Sequence, residues 1–129
     1  MTEEAQNKGA ANQKQLRIVI ADDNAHMRST LKDILEANGY TVDTVKDGYD
    51  LLAYLKKNEP NIIILDLMMP EKNGIEVFDC LKCLWPKAKV IIYTGFNRYE
   101  DSSFAQIADK FILKSTPPQQ LLEAIKDLL

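Results

Sequence analysis

The sequence predicts an α/β protein, a five-stranded parallel sheet with helices packed on both faces. Three observations predict it. Strand-like and helix-like stretches alternate five times along the chain. The segments between strands are long enough for crossover helices and too long for hairpins. The third strand, Ile62–Leu65, is apolar at every position, the pattern of a strand covered on both sides.

Met1–Gln15 is rich in Gln, Asn, Ala, Glu and Lys without a hydrophobic period, and reads as a mobile tail. Residues 16–129 read as one domain. Leu16–Ala21 is a short apolar, β-branched run and is expected to form a buried first strand. Asn24–Asn38 follows as a helix, because Met27, Leu31, Ile34 and Leu35 fall on one face and Gly39 stands at the stop position. Tyr40–Val45 alternates as a second strand. Asp47–Asn58 is a helix with Leu51, Leu52 and Leu55 inward, Asp47 as N-cap and Pro60 blocking its extension. After the third strand, Asn73–Leu84 is helical with Val77, Phe78 and Leu81 on its inner face, and Pro86 closes it. Lys89–Thr94 is the fourth strand, Arg98–Ala108 a polar fourth helix and Lys110–Leu113 the fifth strand. Pro118–Leu129 is the last helix, opened by proline and buried through Leu121, Leu122, Ile125 and Leu129. Right-handed crossovers then give the strand order 2-1-3-4-5, the flavodoxin-like (βα)5 arrangement.

Composition narrows the functional classes. A chain of 129 residues with 46% apolar content buries a core without disulfides or a structural metal. The net charge of −3 argues against direct nucleic-acid binding, which needs a basic face. The longest apolar runs, Ile62–Leu65 and Leu67–Met69, fall short of a membrane span. The N-terminus has no secretory-signal character. A cytoplasmic location with no membrane insertion is expected.

In parallel sheets of this kind, functional groups gather beyond the carboxyl ends of the strands. The first strand ends in Asp22-Asp23, the third in Asp66, the fourth in Thr94 and the fifth in Lys114. In the predicted order these strands are contiguous, so all five side chains converge. Three carboxylates in one small site repel each other unless cations offset them. Lys114 supplies one charge, and a divalent metal supplies the rest. An all-oxygen ligand set with no His or Cys selects a hard cation, and an incomplete protein shell suits Mg²⁺. A carboxylate beside Mg²⁺, a lysine and a hydroxyl is the equipment of a phosphoryl-transfer site.

Ala21-Asp22-Asp23, Ile64-Leu65-Asp66-Leu67-Met68-Met69-Pro70 with Asn73-Gly74, Thr94-Gly95 and Phe111-Ile112-Leu113-Lys114 resemble the response-regulator receiver family of two-component signalling. The resemblance covers essentially Gln15–Leu129. It implies that Asp66 accepts a phosphoryl group from a histidine kinase or phosphotransfer protein. Asp23 would coordinate Mg²⁺ directly, Asp22 directly or through water, and the Met68 backbone carbonyl would complete the protein ligands beside Asp66. Thr94 would hydrogen-bond the phosphoryl group, Lys114 would pair with it, and Phe111 would be the aromatic switch. The face formed by the fourth helix, fifth strand and fifth helix would then change shape for a downstream protein target. With no output domain after the last helix, the chain is expected either to act by binding a partner or to be the receiver piece of a longer protein.

The sequence departs from the family pattern in places. Ser115 follows Lys114 where proline is usual, Gly95 follows Thr94 where alanine is commoner, and Ile107 stands where glycine is frequent. Met68 and Phe96, two residues past Asp66 and Thr94, flank the path of the hydrolytic water in the family. Both are apolar, which predicts slow self-dephosphorylation. Phe111 lacks the hydroxyl of a commonly found tyrosine, which predicts a bias toward an inward ring or a hydrophobic partner.

Plainer readings exist for single residues. Asp22-Asp23 alone reads equally well as a cap on the first helix. His26 is expected to be a surface residue. Cys80 and Cys83 resemble a redox pair but lie mid-helix, away from the helix start that stabilises a thiolate. An enzymatic alternative is a phosphatase with an aspartyl-phosphate intermediate on a related fold. Such enzymes place a second acid two residues after the nucleophile, where this chain has Met68, so a phosphoacceptor rather than an enzyme is expected.

Overall fold

The computed structural model describes residues 16–67, 77–78, 80–81, 83, 85–95 and 108–129. The expected tail 1–15, Met68, Pro70, Asn73, Gly74, Phe96 and nearly all of the expected fourth helix lie outside the described residues. Five parallel strands form one sheet in the order β2-β1-β3-β4-β5: β1 (Arg17–Ala21), β2 (Thr41–Val45), β3 (Ile62–Leu65), β4 (Lys89–Thr94) and β5 (Lys110–Leu113). The expected order is therefore observed, and the third, fourth and fifth strands have the expected bounds.

Strand alternation splits the core in two. Val19, Ala21, Ile63, Leu65, Val90 and Ile92 face Leu51, Leu55, Val77, Phe78 and Leu81. Ile18, Ile20, Ile62, Ile64, Ile91, Tyr93 and Ile112 face Leu31, Leu35, Leu121, Leu122 and Ile125. β3 donates to both clusters, which is why all four of its residues are apolar. Burying each such side chain contributes about 1.5–3 kcal/mol, so the sheet is a rigid platform for whatever stands at its ends.

The helices begin and end for local reasons. Helix α1 (Ala25–Ala37) starts at Asn24, whose side chain accepts from the Met27 amide, and stops at Gly39 with φ +94°. Helix α2 (Gly48–Leu55) is capped by Asp47, which accepts from the Asp50 amide. It ends earlier than the expected Asn58, because the Lys57 amide turns back to the Tyr54 carbonyl and Asn58 Nδ2 donates to the same oxygen. The C-terminal helix (Pro118–Asp127) has proline at its start and buries Leu121, Leu122, Ala124 and Ile125. Leu129 was expected inside with them and is instead 57% exposed. The helix has ended by Asp127, so helical spacing no longer turns Leu129 inward. It lines a cleft with Trp85, Pro86 and Leu128 where the strands begin, at the opposite end of the sheet from Asp22 and Asp66.

Two glycines separate conformational need from spare room. Gly39→Ala puts a side chain into the left-handed region and should cost about 1–2 kcal/mol. A Cβ at Gly95 meets nothing within 4 Å, so Gly95→Ala should stabilise by about 0.4–1 kcal/mol by restricting the unfolded chain. Urea unfolding of both variants checks this, and the opposite order would refute it. A second prediction concerns Tyr54, whose hydroxyl donates to Asp43 Oδ2 at 2.7 Å. Burial, then the Asp43 carboxylate, pushes its pKa up from 10.0 to about 12. A raised folded pKa means the contribution is complete below the unfolded value and is lost as pH rises through the folded one. Stability should therefore fall between pH 10 and 12 more steeply in the wild type than in Tyr54→Phe, as read by unfolding midpoints across that range.

Candidate metal and phosphoacceptor site

The site begins with how β1 and β3 end. The Asp22 amide donates to the Val45 carbonyl and the Asp66 amide to the Ala21 carbonyl, 3.2 and 3.0 Å. Sheet pairing thus continues one residue past β1 and β3, which lays the two aspartates side by side. Both are buried, at 2% and 6% exposure, whereas Asp23 is exposed. The Asn24 amide donates to Asp22 Oδ1 at 2.9 Å. Because Asn24 caps α1, the plainer reading of Asp22-Asp23 as the cap is set aside.

Carboxylate oxygens of Asp22, Asp23 and Asp66 lie within 4.8 Å of one another. Such oxygens repel, and burial raises the cost of leaving them unpaired. Lys114 answers this. Its Nζ stands 2.6 Å from Asp22 Oδ2 and 3.0 Å from Asp66 Oδ2, with 18% of its side chain exposed. Burial pushes the Lys114 pKa down, but hydrogen bonds and charges from Asp22 and Asp66 outweigh burial and hold it above 10.5. The ammonium is therefore present at neutral pH. The donor set fits a hard divalent cation: three carboxylates, oxygen only, one side open to solvent through Asp23.

Thr94 is completely buried at the end of β4, and its backbone carbonyl accepts from the Lys114 amide at 2.8 Å. That bond ties the strand end carrying Thr94 to the one carrying Lys114. Phe111 is half-buried and packs against the first core cluster. After Lys114, Thr116 closes the turn twice on the Leu113 carbonyl, through its amide at 3.0 Å and its hydroxyl at 2.7 Å. No cis peptide occurs among the described residues. The four strand ends thus bring together Asp22, Asp23, Asp66 and Lys114, with Thr94 adjoining. The Met68 carbonyl and Phe96 lie outside the described residues. His26 and Cys83 are exposed and Cys80 is half-buried.

Sequence reasoning missed Arg28. Its guanidinium donates from Nη1 to the Asp22 backbone carbonyl at 2.7 Å. The signal was present in the spacing: Arg28 stands four residues, one helical turn, past the cap Asn24, and so above the acidic turn.

The family model of the response regulator receiver domain matches residues 18–126, and the chain belongs to that family. Chemotaxis protein CheY of Thermotoga maritima is 32% identical over 112 residues, covering 84% of this chain and 93% of that protein. The transcriptional regulatory protein YxjL of Bacillus subtilis is 32% identical over 122 residues, covering 89% of this chain and 55% of that protein. The chain spans about half the length of YxjL and of the mycobacterial response regulator MprA. Among solved structures, response regulator TrrA of Thermotoga maritima in complex with Mg²⁺-BeF has a TM-score of 0.83 at 32% identity, covering 88% of this chain and 98% of that one. TrrA is also seen in complex with histidine kinase ThkA, with a TM-score of 0.81 and coverage of 88% and 97%. The chain is thus a receiver domain of two-component signalling. Among the described residues, no helix is long and apolar enough to cross a membrane.

Removing the cation tests the electrostatics directly. Lys114→Met leaves Asp22 and Asp66 facing each other in a buried site and should cost about 3 kcal/mol, measured by urea unfolding in chelator-treated buffer. Wild-type stability in that variant would show that the ammonium does not offset carboxylate repulsion.

Proposed function

We propose that Asp66 is the phosphoacceptor and that Asp22, Asp23, Asp66 and the Met68 carbonyl hold Mg²⁺. The observation that carries this is the carboxylate trio within 4.8 Å, completed by Lys114 on Asp22 and Asp66. Bound there, Mg²⁺ supplies positive charge against phosphoryl oxygens. The chain's residues do the rest. An Asp66 carboxylate oxygen attacks phosphorus in line, forming a P–O bond as the P–N bond of a phosphohistidine donor breaks. The electron pair leaves on the imidazole nitrogen, which takes a proton from solvent. Lys114 leaves Asp22 and donates to a phosphoryl oxygen on Asp66, and the Thr94 hydroxyl donates to another.

The added charge is roughly −1.5 to −2, as for other phosphorylated side chains. It draws Thr94 and Lys114 toward Asp66. Phe111 turns into the space this leaves, and the surface of the fourth helix, β5 and the C-terminal helix is remodelled for a protein target. The donor is a histidine kinase or phosphotransfer protein, a reading supported by the complex of the neighbour TrrA with ThkA. Residues 16–129 are the receiver unit, 1–15 a tail outside it. The protein works in the cytoplasm without binding nucleic acid or inserting into a membrane, and catalyses only its own phosphorylation and dephosphorylation. Apolar Met68 and Phe96 leave the hydrolytic water unoriented, so the aspartyl phosphate is long-lived.

Incubation with a small-molecule phosphodonor and Mg²⁺, followed by intact-mass measurement, tests the reading. The wild type should gain one phosphoryl group and Asp66→Asn none, with the gain decaying slowly after donor removal. No gain, or a gain that survives Asp66→Asn, would refute the assignment. Decay as fast as the quickest receivers would refute the roles given to Met68 and Phe96.

A further inference from the structure

The Asp22 turn is held at three points. Its amide is anchored on the Val45 carbonyl, its Oδ1 accepts from the Asn24 amide, and its backbone carbonyl accepts from Arg28 Nη1 at 2.7 Å. The first two anchors are main-chain amides and belong to the sheet and the α1 start. The third is a side chain reaching back from the first turn of α1, and it is half-buried. A bond from a guanidinium to a carbonyl is charge-assisted and about twice as strong as a neutral one. It is made to the carbonyl of the peptide that joins Asp22 to Asp23.

We propose that Arg28 is a positioning residue for the metal site: by clamping the Asp22 carbonyl it sets the Asp22 and Asp23 carboxylates for a divalent cation. The inference rests on the Mg²⁺ reading above. Arg28 is a cation beside a cation site, so its charge alone opposes metal binding. If Arg28 acted only through charge, its removal would tighten Mg²⁺ binding. If it positions the carboxylates, removal weakens binding despite the lost repulsion. Lysine keeps the charge but lacks the planar fork that holds its hydrogen bonds in fixed directions, so Arg28→Lys separates the two effects.

The experiment compares wild type, Arg28→Met and Arg28→Lys in two measurements. The first is hydrogen exchange of the Asn24 amide in metal-free protein, with the β1 and β3 amides of Val19 and Ile63 as reference. The second is Mg²⁺ affinity by titration without phosphodonor. Arg28→Met should exchange Asn24 at least about tenfold faster while Val19 and Ile63 are unchanged, and should bind Mg²⁺ about tenfold more weakly, the fold-changes expected when one hydrogen bond to a charged group is lost. Arg28→Lys, which keeps the repulsion without the clamp, should bind Mg²⁺ at least as weakly as Arg28→Met. Unchanged or tighter Mg²⁺ binding in Arg28→Met would overturn the proposal, as would faster exchange spread equally over Val19 and Ile63, the mark of general destabilisation. If the wild type itself binds no Mg²⁺, the metal reading fails, and the proposal that Arg28 serves a metal site falls with it. The Asn24 measurement, made without metal, shows separately whether the clamp exists.

Discussion

The Lys114 ammonium between Asp22 and Asp66 is the interaction on which the rest of the site depends. The sheet delivers two buried carboxylates to adjacent strand ends and a third beside them. That arrangement is unfavourable until a cation is present. Lys114 comes from the end of β5, and reaches across β4 to Asp66 and β1's Asp22. It offsets part of the carboxylate charge in the resting molecule with a single tethered cation. On the proposed reading, a metal or a phosphoryl group entering the site would meet an existing ion pair, and binding would be an exchange of partners rather than a simple addition.

The strand ends that carry the site are also joined to each other and to the core. The Lys114 amide is bonded to the Thr94 carbonyl, so movement at one strand end is felt at the other. Phe111, three residues before Lys114 on the same strand, packs against the core cluster that contains Ile92, two residues before Thr94. On the proposed reading, a change of charge at Asp66 would act on these elements through contacts already in place.

Most of the fold was legible because its signals are local or periodic. β3, β4 and β5 have the expected bounds, since apolar runs flanked by proline, asparagine and charged residues leave little latitude. Helix ends were less legible: α2 stops at Leu55 because Asn58 and Lys57 both turn onto the Tyr54 carbonyl, a choice that pattern does not reveal. Leu129 looked like the last rung of a buried face and is exposed, because the helix had already finished. In the site, the strand-end rule found Asp22, Asp23, Asp66, Thr94 and Lys114. It did not show that Lys114 spans two carboxylates, nor that Arg28 clamps the Asp22 carbonyl. Both are long side chains whose reach depends on three-dimensional placement, while the aspartates are short and stand where the backbone puts them.

If Asp66 is the phosphoacceptor, Lys114 changes partners when Asp66 carries a phosphoryl group, and a crystal structure of this protein with Mg²⁺ and beryllofluoride would reveal it. Beryllium should be bonded to an Asp66 carboxylate oxygen, Mg²⁺ held by Asp22, Asp23 and Asp66, and Lys114 moved off Asp22 onto fluoride. Beryllofluoride on any other residue, or Lys114 still bridging Asp22 and Asp66, would contradict it.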